Sequence, residues 1–319
     1  MQPVTFQGVL AARHVVYRFL KQTPLIHYPE LSETLGFNAW IKHENHQPTG
    51  SFKVRGGLNF IDQLPDEQRQ RGVTTATRGN HGQSIAYAAQ QFGVRATIVV
   101  PHGNNPEKNS AMRAYGAELI EHGKDFDEAR ELCEQLERER GLYYVHPCNE
   151  PALYHGVGTY SLEIFEALPD VDAIIAPIGG GSGSCGAITV AQAINPNAKV
   201  IGVQAENAPA VYRSWKAGRK IETDSSDTMA DGLATRVTFD LPFSILKDGI
   251  SQIVLVSEAE LCDGIRMALR YTHNLAEGAA AAPIAAARKL KAELAGQKVV
   301  MIMSGANLDR KTLISILGS

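Results

Sequence analysis

The chain alternates short apolar runs of strand length with longer amphipathic runs of helix length, and this rhythm restricts it to folds built on parallel sheets. Strands are expected at 73–77, 96–100 and 118–121, with helices following at 83–92, 106–115 and 126–140. A strand that is to lie parallel to its predecessor needs a crossover of a dozen or more residues, and a helix supplies one. The rhythm returns in the second half, with strands expected near 173–178, 199–204, 253–256 and 299–303. Two such series in 319 residues predict an α/β protein with two open parallel-sheet domains, each with helices on both faces. Ahead of them, helical spacing over 9–19 ends near Thr23-Pro24, and 39–42 reads as a strand.

Open parallel sheets take ligands where the carboxyl ends of strands meet loops and helix amino termini. The polar and glycine-rich segments of this chain fall at such places. After the strand at 39–42 comes Pro48-Thr49-Gly50-Ser51-Phe52-Lys53-Val54-Arg55-Gly56-Gly57. Pro48 and Gly50 favour a turn, Ser51 is expected to cap a helix, and Lys53 then sits in its first turn. The positive end of the helix dipole raises the free energy of an ammonium there by roughly 0.3–1 kcal/mol. It favours the neutral amine, which is a nucleophile suited to imine chemistry.

Three further segments follow strands. Thr77-Arg78-Gly79-Asn80-His81-Gly82 leads into a helix expected from about Gly82, and backbone N–H groups at such a start attract an anion such as a carboxylate. Gly179-Gly180-Gly181-Ser182-Gly183-Ser184 exposes N–H groups without side chains in the way, so a phosphate fits; no Walker lysine follows it. Met303-Ser304-Gly305-Ala306-Asn307 closes the series.

Composition removes several functions. The formal net charge is −3, with no basic excess, so neither a nucleic acid nor a membrane is the expected partner. No run of about 18 apolar residues is present, and residues 1–20 carry Arg13, His14 and Arg18 with no signal-peptide core, which leads us to expect a cytoplasmic protein. Four dispersed cysteines and no His-x-x-x-His pair give no reason to assign a metal.

The stretch Thr49-Gly50-Ser51-Phe52-Lys53-Val54-Arg55-Gly56 resembles the lysine segment of the pyridoxal-phosphate enzymes related to threonine dehydratase and serine racemase. The other three segments occur in the family's order, and together they span nearly the whole chain. The resemblance implies the tryptophan-synthase-β-like architecture called fold type II. It implies pyridoxal 5′-phosphate as cofactor, held covalently by Lys53 and bound also by Phe52, Asn80, Gly179, Gly180, Gly181, Ser182, Gly183 and Ser304. Asn80 would meet the ring oxygen, the glycine loop the phosphate, and the Ser304 hydroxyl the ring nitrogen. Glu277, in Ala276-Glu277-Gly278 before an alanine-rich helix, takes a supporting role, and Thr228-Met229-Ala230-Asp231-Gly232 lies near the cofactor wall. Thr77, Arg78, Gly79 and His81 would bind the substrate. Residues 1–46 and 147–319 would form a large cofactor-binding domain, and 47–146 a small mobile domain.

The departures from the family pattern are informative. Thr77 stands where serine is usual, Ser182 replaces a fourth glycine, and Ala306 replaces a glycine. Arg78 occupies the position of the serine that serves racemases as a second acid/base, and arginine cannot deprotonate in that role. Gln204 and Ala210 stand where some relatives place the two carboxylates of a cation site, which therefore is not expected; Glu206 is the one nearby substitute. Because the sequence runs only about one helix beyond Ser304, no carboxyl-terminal regulatory domain is expected.

A serine, unlike an aspartate, does not hold the ring nitrogen protonated, which weakens the electron sink and favours prompt loss of a β-leaving group. The expected reaction is β-elimination by an ammonia-lyase: a 3-hydroxy amino acid such as threonine or serine gives a 2-oxo acid and ammonia, with Lys53 taking the α-proton. An amino-acid racemase, a β-replacement synthase and a non-catalytic pyridoxal-phosphate-binding protein are the alternatives. The resemblance favours a homodimer.

Overall fold

In the computed structural model, which describes residues 3–318, ten strands form two sheets. The strands are β1 (Leu25–His27), β2 (Asn38–His43), β3 (Val73–Ala76), β4 (Ala96–Val100), β5 (Glu118–Glu121), β6 (Tyr143–Tyr144), β7 (Ala173–Pro177), β8 (Lys199–Ala205), β9 (Gln252–Val256) and β10 (Lys298–Met303). The larger sheet has the order β1-β2-β10-β7-β8-β9 and the smaller β5-β4-β3-β6.

The apolar runs are explained by burial on both faces. Along β7, Ile174 and Ala176 enter one hydrophobic cluster while Ala173 and Ile175 enter another, as the two-residue period of a strand requires. Along β10, Val300 and Ile302 separate from Val299, Met301 and Met303 in the same way. The alanine-rich helix Gly278–Lys289 covers the second face with side chains small enough for close approach.

The sheets are parallel with one exception. Strand β1 pairs antiparallel to β2, with Ile26 opposite Ile41, and forms the sheet's edge. Its three residues are too few to show a period, and no strand is expected there from the pattern of apolar residues. Two helix limits also differ from expectation. The first helix is Phe6–Val16, capped by Thr5, whose side chain accepts from Gly8 N. The helix after β3 begins at Asn80, two residues before Gly82, because the Thr77 hydroxyl accepts from both Gly79 N and Gly82 N and closes the turn early.

The lysine helix, Lys53–Gln63, is fixed to the larger sheet from two sides. Against the helix Pro151–Ala167 it packs backbone to backbone: a Cβ at Gly156 would lie 2.3 Å from the Arg55 carbonyl oxygen. The Arg55 guanidinium, fully buried, bonds both oxygens of Glu44 at 2.7 and 2.8 Å and both of Glu163 at 2.6 and 3.0 Å. Lys42 Nζ adds a 2.5 Å contact to Glu163. Burial alone would raise the Glu44 pKa, but Arg55 outweighs it and holds the carboxyl below its usual range.

Candidate active site

Ser51 does not cap the lysine helix. It is extended, bridges antiparallel to Gly305, and leaves Phe52 at the cap position without a side-chain bond; its own buried hydroxyl has no partner among the described residues. Tertiary pairing overrides the local preference. Phe52 N donates to the Ser304 carbonyl at 3.1 Å and Ala306 N to the Gly50 carbonyl at 2.8 Å, so the lysine turn and the end of β10 form one unit.

Lys53 keeps its place in the first helical turn. Its Nζ stands 5.1 Å from the centroid of the Phe52 ring and makes no hydrogen bond or ion pair to the described residues. Burial lowers its pKa below the ordinary lysine value, against the opposing pull of Cys148 and Glu277. The amine is thereby biased towards the nucleophilic form.

Around it the loop after β3 is held in place by amides. Asn80 Nδ2 donates to Glu277 Oε1 at 2.7 Å, while Asn80 Oδ1 accepts from Asn307 Nδ2 at 2.7 Å. One Nδ2 hydrogen of Asn80 remains for a ligand. Burial raises the Glu277 pKa, with Lys108 and the Asn80 bond opposing. His81 is buried; desolvation and the nearby Lys53 push its pKa down to about 3, so the ring is neutral, and its Nε2 has no partner among the described residues. Thr77 is also buried, its hydroxyl oxygen occupied by the loop N–H groups. Arg78 is exposed between them.

The glycine loop after β7 divides into two parts. A Cβ at Gly179 would lie 2.0 Å from the Gly232 carbonyl oxygen and one at Gly180 2.3 Å from Cys148 Sγ, so these glycines serve the fold. Gly181 has φ +89°, in the left-handed region. Gly183 is different: its nearest neighbours are Tyr160 Oη at 3.4 Å and the Phe52 ring at 3.5 Å, ordinary contacts, so the missing side chain leaves a cradle beside Phe52. Residues 182–184 open the helix Ser182–Ile194, and N–H groups of a first turn have no intrahelical acceptor.

These features fit pyridoxal phosphate. The cradle and helix start suit a phosphate, the buried Ser304 hydroxyl makes no bond to the described residues, and the Lys53 amine is free to react. Gln204, where relatives place a cation ligand, is fully buried; its Oε1 accepts from Tyr212 N at 2.8 Å and its Nε2 donates to the Ile178 carbonyl at 3.4 Å. Glu206 is exposed and faces Lys289 at 3.8 Å. The sequence missed Lys108, a buried lysine on the helix Pro106–Ala114 that pairs with Asp231 at 2.6 Å between the two sheets. Its place on the helix that follows β4, at the carboxyl end of a parallel strand, is the one signal in the sequence.

A lysine-bearing turn, a phosphate cradle and a serine at a strand end, set on two open sheets, define a fold-type II pyridoxal-phosphate enzyme. The chain belongs to the pyridoxal-phosphate dependent enzyme family, whose profile matches residues 16–305. It is 40% identical over 306 residues to an L-threonine ammonia-lyase of Thermotoga maritima, covering 96% of this chain and 76% of that one. The processed form of threonine deaminase isoform 2 from Solanum lycopersicum superposes with a TM-score of 0.93 at 33% identity, over 99% of this chain and 95% of that one. Maize serine racemase superposes at 0.94 with 29% identity, over 99% and 98%. The chain is an enzyme of the ammonia-lyase type and depends on pyridoxal phosphate.

Proposed function

We propose that the enzyme eliminates water from a 3-hydroxy amino acid, with L-threonine and L-serine as its simplest substrates, and releases a 2-oxo acid and ammonia. The observation that carries this reading is the Lys53 amine: unpaired, desolvated, and clamped through Phe52 N to the end of β10.

Bound pyridoxal phosphate supplies the electron sink for the negative charge left at the substrate Cα. The protein's part begins with the loop after β3, where the backbone N–H groups of Asn80 and His81 receive the α-carboxylate. Lys53, its amine biased towards the neutral form by burial, takes the α-proton at Nζ. The Gly183 cradle and the 182–184 N–H groups hold the phosphate, Ser304 Oγ addresses the ring nitrogen and the spare Asn80 N–H the ring oxygen. His81, neutral and buried, packs beneath the loop and moves no proton. Arg78 offers no second base, which weighs against racemisation.

The part of 47–146 beyond the lysine helix acts as the small domain closing on 1–46 and 147–319, while the Ser51–Gly305 bridge and the Arg55 cluster keep the lysine turn on the larger sheet; Lys108–Asp231 and Asn80–Glu277 are the bonds made on closure. Closure excludes water from the site. No described helix is long and apolar enough to cross a membrane. A cytoplasmic homodimer is the assembly we infer, and sedimentation of the holoenzyme tests it. The reaction is tested by measuring 2-oxo acid and ammonia together from a panel of 3-hydroxy amino acids. Equal release of both, abolished by Lys53→Ala in a folded variant, is the expected result; turnover retained by that variant removes Lys53 from the mechanism.

A further inference from the structure

A cavity of about 430 Å³ lies beside the site, walled by loops of both sheets and joined to it through Glu277 and Asn307, which bond Asn80; its charged side chains are almost all committed. Lys108 pairs with Asp231 at 2.6 Å and Lys124 with Glu128 at 2.9 Å. Glu277 accepts from Asn80, and Asp309 caps the helix Arg310–Leu317 through Thr312. Arg78 is the exception among the lysines and arginines of this wall: exposed to the cavity, it makes no ion pair or hydrogen bond to the described residues.

Its backbone is nevertheless fixed. Thr77 N donates to Val99 O at 3.0 Å, and the Thr77 hydroxyl accepts from Gly79 N and Gly82 N, so the guanidinium hangs from a rigid turn at the carboxyl end of β3. The α-carboxylate already has a receptor one residue further on. Among the N–H groups of residues 79–83, only those of Asn80 and His81 have no acceptor among the described residues. A planar guanidinium left over beside that receptor matches a second carboxylate in bidentate geometry.

We propose that Arg78 receives a side-chain carboxylate of the substrate, so that the enzyme prefers 3-hydroxy amino acids with an anionic side chain, of which 3-hydroxyaspartate is the smallest. This rests on the ammonia-lyase reading and adds the substrate class to it. The chemistry balances without an oxidant or reductant. The Cα proton passes to Lys53, the C3–O bond breaks with loss of water, and hydrolysis of the resulting imine returns one water, giving oxaloacetate and ammonium.

Two measurements on the holoenzyme test the proposal. In the first, wild type, Arg78→Ala and Arg78→Lys are compared on 3-hydroxyaspartate, threonine and serine. Wild type should favour 3-hydroxyaspartate in kcat/KM by about tenfold or more, and Arg78→Ala should lower that value about tenfold further than it lowers threonine's, chiefly through KM, with Arg78→Lys between. In the second, malate and lactate, which lack the amine and do not react, are titrated calorimetrically; wild type should bind malate about tenfold more tightly than lactate and Arg78→Ala should not. Equal losses on all three substrates would assign Arg78 to the α-carboxylate and overturn the proposal. So would efficient turnover of threonine with malate bound no better than lactate, although the ammonia-lyase reading would then stand. If no amino acid is turned over while Arg78 still discriminates malate from lactate, the lyase reading fails and the carboxylate site survives.

Discussion

Asn80 Nδ2 donates to Glu277 Oε1 across 2.7 Å, and this bond joins the loop after β3 to the larger sheet. Asn307 completes the arrangement by donating to Asn80 Oδ1 at 2.7 Å and to the Thr49 carbonyl at 2.9 Å, so one amide is held in one orientation by three chain segments. Removing the acceptor releases it. Glu277→Ala should weaken pyridoxal-phosphate binding about tenfold, whereas Glu277→Gln, which keeps an oxygen at the same place, should cost less than about threefold; equilibrium dialysis of the cofactor reads both.

The same residue has a pH signature. Burial raises the folded-state pKa of Glu277 above its unfolded value, so its contribution is fully present below the unfolded value and is lost as pH rises through the folded one. The stability of wild type relative to Glu277→Gln, measured by urea unfolding of the cofactor-free proteins, should therefore fall as pH rises across that window. A difference that grows instead would show a carboxylate stabilised as the anion.

Gly179 and Gly183 should respond oppositely to alanine. At Gly179 the new methyl would meet a backbone oxygen at 2.0 Å, so Gly179→Ala should fail to fold or lose more than about 3 kcal/mol. At Gly183, inside a helix and with its nearest neighbour at 3.4 Å, alanine should hold or raise stability by up to about 1 kcal/mol. It should nevertheless weaken cofactor binding, because the methyl enters the cradle beside Phe52. Thermal melts with and without pyridoxal phosphate separate the two effects.

Much of this arrangement can be read in the sequence because it lies in contiguous segments. Strands β4 and β5 fall at the expected residues; Lys53, Asn80 and Gly183 lie in the first turns of the helices that follow β2, β3 and β7, and Ser304 directly follows β10. Long-range contacts account for what cannot be read. Ser51 looks like a helix cap until Gly305, far along the chain, pairs with it. Lys108 lies in a helix whose polar sequence suggests a solvent face, and its partner Asp231 is 123 residues away. Gly181, Gly183 and Gly186 have the Gly-x-Gly-x-x-Gly spacing of a dinucleotide site, so the spacing does not exclude a nucleotide; Gly186 instead serves packing, its missing Cβ lying 2.9 Å from Gly158 Cα.

The buried Arg55 cluster should behave as a unit. Glu44→Ala leaves a guanidinium with no exposed surface short of one carboxylate, and should cost about 3–5 kcal/mol in urea unfolding. Because Arg55 depresses the folded-state pKa of Glu44, its contribution is present above the unfolded carboxylate value, about 4.3, and is lost as pH falls through the folded value. The stability gap between wild type and Glu44→Gln should accordingly close on acidification below about pH 4. A gap independent of pH would mean that Arg55 does not act through the ionised carboxylate.

Lys53 should reveal the cost that the fold bears for its chemistry. Its desolvated amine has a folded-state pKa below the unfolded value of about 10.4, so the unfolded chain binds the extra proton between the two values and stability rises with pH across that interval. Methionine has a similar length and no charge to desolvate. Cofactor-free Lys53→Met should therefore be more stable than cofactor-free wild type at pH 7, by about 1 kcal/mol, with the advantage shrinking as pH approaches 10. Turnover should be absent. A variant that is less stable than wild type at neutral pH would show that the Lys53 ammonium is well solvated or paired in the folded protein and that the fold does not pre-activate the amine.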